Sequence, residues 1–256
     1  MTNLNMIGAS VLACLAVSQL CGQPNNAKPG HIDRPARMHG FAEKPLRAVG
    51  QRMIRPGLER GTYSGTLVDS SGTSPIVLIR EQPDKIRLQV GGARPFVLVA
   101  DENGRSLSSR GNVSELELDL MESLSADSLE VFLANLAEGA AGRFLGSGFR
   151  PTENRSLAYR GPLNDIFELF AGVRIRNNQL RAKRYFFDGA TGLLSRVRYT
   201  KNLTAVETRF SNWEDRNGEK VPATVQRFEN GQAVFSLSTT ATVFEAKKSD
   251  NAFARP

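Results

Sequence analysis

The side chains that most often carry enzyme chemistry are confined to one end of this sequence. Its two histidines, His31 and His39, and its two cysteines, Cys14 and Cys21, all precede Gly40. The rest of the chain therefore offers no imidazole base, thiolate nucleophile, disulfide or Cys/His zinc site. What remains is carboxylate chemistry of the glycosidase kind, which needs two acids facing one bond. The local pairs are Asp165 with Glu168, Glu115 with Asp119, and Glu214 with Asp215. Nothing in their surroundings separates them from solvated surface charges. The glycine-rich run GAAGRFLGSGF, residues 139–149, lacks both GKS/T and the G-x-G-x-x-G spacing, so it is no phosphate loop. It reads as a flexible connector with apolar anchors. The reading is a non-enzymatic chain without cofactor or metal, whose working side chains are apolar.

Charge narrows the partners. The formal charge is +7, but Lys28–Arg60 alone holds eight Lys/Arg against three acids, which leaves +2 for residues 61–256. Aromatic residues make up 7% of the chain, and the basic residues of the body alternate with apolar ones. That is a solvated sheet face rather than a nucleic-acid surface. The arm 28–60 suits an anionic membrane surface, or plain linker solvation. Within the body, Asp101–Glu138 has nine acids and two arginines, whereas Arg143–Arg209 has thirteen basic residues and five acids. The acidic segment is expected to lie against the basic strands through exposed, salt-screened pairs.

The elements that position these residues follow an export segment. Met6–Val17 is an uncharged, mostly apolar run too short to span a bilayer, and Ala16-Val17-Ser18 has the small–x–small spacing of a signal cleavage site. Residues 1–18 read as a signal peptide and 19–44 as a Pro/Gly-rich basic linker. The product is periplasmic or exported, with a lipid-anchored envelope form as the alternative. From residue 45 the chain reads as one body, 45–256. Leu46, Val49, Met53 and Ile54 recur at helical spacing over Pro45–Arg55.

From Thr62 the period becomes two. Five short strands, Thr62–Asp69, Pro75–Glu81, Lys85–Val90, Pro95–Asp101 and Arg105–Ser109, are separated by turn dipeptides such as Ser71-Gly72 and Asn103-Gly104. Connections that short allow only hairpins. The pattern breaks between Gly111 and Phe149. There Ser128–Gly142 carries Leu129, Phe132, Leu133 and Leu136 on one helical face. Asn164–Val173 fits strand or helix. Five further strands run from Gln179 to Glu245, for about eleven in all. The fold class is mainly β (α+β): one large curved antiparallel sheet covered by two or three short helices. Phe132, Leu136, Phe144, Leu145 and Phe149 are the candidate ligand contacts of a helical lid.

The strand Pro83-Asp84-Lys85-Ile86-Arg87-Leu88 and the turn Val99-Ala100-Asp101-Glu102-Asn103-Gly104 carry a family likeness. So does the C-terminal block, RYFFDGATGLLSRVRY followed by ETRFSNWEDRNGEKVPATVQRFENGQAVFSLSTTATVF. Over roughly Thr62–Pro256 the chain resembles the LolA/LolB-like superfamily of exported lipoprotein-sorting and lipid-binding proteins. The resemblance implies an unclosed β-barrel with a helical lid over an apolar cavity. It also implies lipid or lipoprotein acyl chains as ligand, carried across the periplasm toward the outer membrane. An envelope protein-interaction or sensor module on the same fold is the alternative, and a carboxylate-based hydrolase the third reading.

Overall fold

A computed structural model describes residues 43–45, 47–49, 59–81, 85–100, 106–137, 140–149, 163–173, 176, 179–216, 218–249, 251–254 and 256. The expected signal peptide, 1–18, and almost all of the expected linker, 19–44, lie outside the described residues.

The first five strands are β1 (Arg60–Asp69), β2 (Gly72–Glu81), β3 (Lys85–Val90), β4 (Phe96–Ala100) and β5 (Ser106–Ser108). A helical insert follows: α1 (Glu115–Met121), a π-helical turn (Glu122–Ala126) and α2 (Leu129–Ala137). Seven strands follow among the described residues: β6 (Ala141–Phe149), β7 (Leu163–Val173), β8 (Gln179–Asp188), β9 (Leu194–Lys201), β10 (Thr204–Arg216), β11 (Glu219–Glu229) and β12 (Gln232–Glu245). They form one antiparallel sheet of 12 strands in the order β5-β4-β3-β2-β1-β12-β11-β10-β9-β8-β7-β6. β12 returns to pair with β1, so the two meanders join in the middle of the sheet. The sheet does not close, and its edges β5 and β6 are the strands that the insert connects.

Alternation sets the two faces. Leu78, Leu88, Leu98, Val197 and Leu237 are buried on the inner face, each two residues from another buried one, and Leu67 lies beyond the β1 bulge. Leu120, Met121, Leu124, Leu129, Phe132 and Leu136 of the insert cover them. Twelve strands replace the expected eleven because residues 141–149 are β6 and not a flexible connector. The glycines there have no strand preference, but β7 supplies a ladder from Ala141↔Phe170 to Phe149↔Leu163, and a bulge between Phe144 and Gly146 absorbs the irregularity. The same ladder resolves Asn164–Val173 as strand. The expected helix over Ser128–Gly142 stops at Ala137, where the chain approaches β6. Of the expected Pro45–Arg55 helix, residues 45 and 47–48 are helical, and residues 50–58 lie outside the described residues.

α1 carries Leu116, Leu120 and Met121 at helical spacing, but the strand-like alternation of Glu115–Leu120 hides them. Its start is a capping box: Glu117 N donates to Ser114 Oγ (3.3 Å) and Ser114 N donates to Glu117 Oε2 (2.7 Å). Ser108 of β5 also donates to Glu117 Oε1 at 3.1 Å, which ties the helix start to the sheet edge.

Two backbone positions are demanding. A Cβ on Gly65 would lie 1.9 Å from Ser238 O, where β1 and β12 bulge together. The β9–β10 turn places Asn202 and Leu203 at φ 48° and 68°, whereas the β11–β12 turn uses Asn230 and Gly231 at 48° and 82°. Leucine is poorly suited to the left-handed region. Gly65→Ala should therefore destabilise by about 3 kcal/mol, while Leu203→Gly should stabilise by about 1 kcal/mol. Denaturant melts of the two variants check both signs.

Candidate functional site

The insert meets the inner face through two chemically different halves. In the first, acids of α1, the π-helical turn and Asp127 just after it enter a basic pocket made by Arg176 and strands β8–β11. Glu122 accepts from Arg176 Nε and Arg181 NH1, each at 2.7 Å, with Lys183 Nζ 3.2 Å away. Asp127 accepts from Lys183 Nζ at 2.5 Å and Thr208 Oγ1 at 2.6 Å. Asp119 accepts from Lys201 Nζ (2.7 Å) and Arg227 NH2 (2.9 Å), and also from Arg176. Arg227 further donates to Tyr199 OH at 3.0 Å and Ser123 Oγ at 3.3 Å. The side chains of Arg227, Glu122 and Asp127 are fully shielded. The acidic and basic blocks do meet, but the expectation of exposed, weak pairs is corrected: a helix laid on a sheet excludes water from both.

Burial alone would raise the Glu122 carboxyl, but Lys183, Arg181 and Arg176 outweigh it and hold it at about 2. For Asp119 burial prevails over Lys201, Arg227 and Arg176, so its carboxyl is pushed up. Burial disfavours the Arg227 charge, yet Tyr199, Asp119 and Glu229 more than compensate and hold it above the ordinary range.

The second half is apolar. A cavity of about 50 Å³ separates α2 and the π-helical turn from the sheet. Leu124, Leu129 and Leu133 line it from the insert, and Leu78, Phe210 and Trp213 from the sheet. Trp213 Nε1 donates to Leu194 O at 3.1 Å, which sets the indole plane against the cavity. Val49 closes one end, and its carbonyl accepts from Lys220 N at 3.3 Å. At the rim Arg80 of β2 reaches Glu130 of α2 at 3.3 Å.

Four of the five candidate contacts have described side chains, and these lie in the core and on β6. Phe132 is fully buried in an aromatic cluster with Phe167, Tyr185 and Phe187, at ring separations of 5.8, 4.8 and 5.1 Å. Leu136 is buried in the same core, and Phe144 packs on Phe167 at 5.0 Å. Leu145 is half-buried on β6, and the Phe149 side chain lies outside the described residues. None of the four described side chains borders the cavity. The stripe of α2 is broad, and the rotation that aims Leu129 and Leu133 at the cavity turns Phe132 toward Phe167 of β7 and Tyr185 and Phe187 of β8.

The carboxylate pairs are separated or committed. Glu168 faces outward to Arg143 and Arg184, whereas Asp165, three residues away on a strand, points to the other face and accepts from Ser147. Glu115 and Asp119 share Arg176 and Lys201. Glu214 pairs with Arg216, and Asp215 with Lys220. None of these pairs lines the cavity.

Because the Glu122 pKa is depressed on folding, its contribution is present above its ordinary value of 4.5 and is lost as pH falls toward 2. The raised Asp119 acts in the opposite direction and offsets part of this. Acidification from pH 5 to 2 should cost on the order of 3 kcal/mol through Glu122. Glu122→Gln should flatten that pH dependence, as read from thermal melts or from amide exchange in α1.

No protein-family model matches this sequence, and no curated protein matches it. Solved structures do. One is a domain from Vibrio parahaemolyticus provisionally named as an outer membrane lipoprotein-sorting protein: 13% identical, 83% of this chain and 97% of that chain, TM-score 0.50. Another is a DUF1329 family protein from Desulfovibrio piger: 10% identical, 83% and 95% covered, TM-score 0.52. A LolA superfamily protein from Nitrosomonas europaea is 8% identical with 82% and 95% covered, TM-score 0.51. The likeness is one of architecture over nearly the whole length of each neighbour: this chain has a LolA-like fold.

Proposed function

We propose that the chain is an exported, non-enzymatic binding protein that takes acyl chains of a lipid or lipoprotein between the inner sheet face and the helical insert, for carriage through the periplasm. The observation that carries this reading is the division of the insert into a charged half and an apolar half bordering a cavity. At about 50 Å³ the cavity is closed down, since pockets for small molecules hold roughly 300–1,000 Å³. Entry of an acyl chain requires α2 to lift while α1 stays docked by its ion pairs. An acyl chain would then contribute about 0.8 kcal/mol per buried methylene. With α2 raised, the path from Leu129 and Leu133 runs on to Phe132, Leu136 and Phe144, with Leu145 and Phe149 farther along β6. The neighbours provisionally named for lipoprotein sorting or assigned to the LolA superfamily support the reading through their shared architecture.

Trp213 is the one tryptophan of the chain and lines the cavity, so its emission reports occupancy directly. Titration with oleate should change that emission saturably. Leu133→Phe, which fills the cavity and favours the closed form, should weaken uptake several-fold. An unchanged emission, together with no lipid in organic extracts of protein purified from its native compartment, would overturn the proposal.

A further inference from the structure

The outer face of the sheet carries a second constellation, separate from the cavity. Register places Glu168 opposite Arg184, Arg184 opposite Arg198, and Arg198 opposite Glu207, so these four form one row across β7–β10. Arg184 and Arg198 are like charges directly opposed on neighbouring strands, a destabilising arrangement. The two carboxylates of the row are buried, 4% exposed at Glu168 and 7% at Glu207. They hold the guanidiniums by one atom each. Arg184 Nε donates to Glu168 Oε2 at 2.7 Å, and the Nε atoms of Arg198 and Arg209 donate to the two oxygens of Glu207. Among the described residues, the terminal nitrogens of these three arginines donate no hydrogen bond, and the Arg184 and Arg198 side chains stay 55% and 43% exposed. Each buried acid thus fixes a guanidinium plane while leaving its outer edge, with paired N–H groups, pointing to solvent.

The row borders a groove of about 760 Å³. Its floor is small, with Ala182, Thr200 and Ala205 on successive strands, and the exposed Leu180 stands beside it. At the far side Arg209 stacks on Phe228, 4.0 Å from the ring centre. Counting Arg143 and Arg196, five arginines here face two acids, so the local excess is positive. Two arginines opposed on neighbouring strands, each with an open guanidinium edge, match the several oxygens of one phosphate better than those of a single carboxylate. The small floor and Leu180 match an apolar portion attached to it.

We propose that this groove binds the phosphate group of an amphiphile, with Arg184 and Arg198 donating to the phosphate oxygens and Leu180 and the small floor taking the adjoining apolar segment. A phosphate between them also relieves the repulsion of the opposed arginines.

The test uses the full chain, labelled for amide NMR, titrated with dihexanoyl phosphatidic acid below its micelle concentration and in parallel with inorganic phosphate. The lipid should shift the Ala182, Thr200 and Ala205 amides saturably, and bind at least about tenfold tighter than phosphate. High salt should weaken it. R184Q/R198Q should lose about tenfold or more in affinity, and R184Q alone an intermediate amount. Both variants leave Glu168 with Arg143 and Glu207 with Arg209, so the sheet keeps its paired acids. K247Q/K248Q, which removes the same charge from two exposed lysines, should bind as the parent does. Shifts confined to Leu124 and Leu133, equal losses in R184Q/R198Q and K247Q/K248Q, or phosphate binding as tightly as the lipid would each overturn it.

Discussion

The buried ion network between the insert and β8–β11 is the constraint on which the rest of this architecture rests. An arginine as shielded as Arg227 cannot be placed on the inner face of a sheet without a partner, because taking its charge out of water costs several kcal/mol. Arg227 has Asp119 of the insert and Glu229 of β11 as its carboxylates, while Glu122 and Asp127 of the insert pair with Arg176, Arg181 and Lys183. The insert is thus held in one register on the sheet by charge geometry, which tolerates little sliding, and not by apolar packing alone. Lifting the insert as a whole would rehydrate both sides of the network together. Deleting a single partner strands a charge in a dry site. The network therefore tolerates opening better than it tolerates substitution.

That asymmetry bears on how a ligand would enter. Apolar contacts are non-directional and re-form as readily around an acyl chain as around Leu129 and Leu133. The charged half is directional and has no reason to exchange partners for a hydrocarbon. A sheet with open edges and an insert strung between those edges can hinge at the charged half and open at the apolar half without breaking a strand ladder. The outer face is independent of this motion, since Arg184, Arg198 and Glu207 lie on strands whose pairing does not involve the insert.

Much of the architecture is legible in the order of residues. Period-two runs on either side of the insert, punctuated by Asn-Gly and Ser-Gly turns, leave only hairpin meanders within each run, whereas the pairing of β12 with β1 that joins the two is a tertiary decision. Two elements escaped that reading. β6 is glycine-rich and owes its strand conformation to the β7 ladder, a partner that local pattern cannot reveal. α1 hides its short stripe of Leu116, Leu120 and Met121 under the strand-like alternation of Glu115–Leu120, with Ser114 and Glu117 as its capping signal.

The candidate site divides in the same way. Sequence alone determined that the body contains no histidine or cysteine, that its acids and bases are segregated into blocks, and that one amphipathic helix interrupts a long sheet. Those are properties of composition and period, which need no third dimension. Only the tertiary structure decided that the blocks meet in a dry interface, because burial depends on what covers a side chain and not on its neighbours in the chain. It also decided that Leu124, Leu129 and Leu133 border the cavity while Phe132 joins the aromatic core. An apolar stripe specifies which side of a helix is buried, but the rotation about its axis is set by the partner. Here that partner is the cluster of Arg176, Arg181, Lys183 and Arg227, which grips the preceding turn.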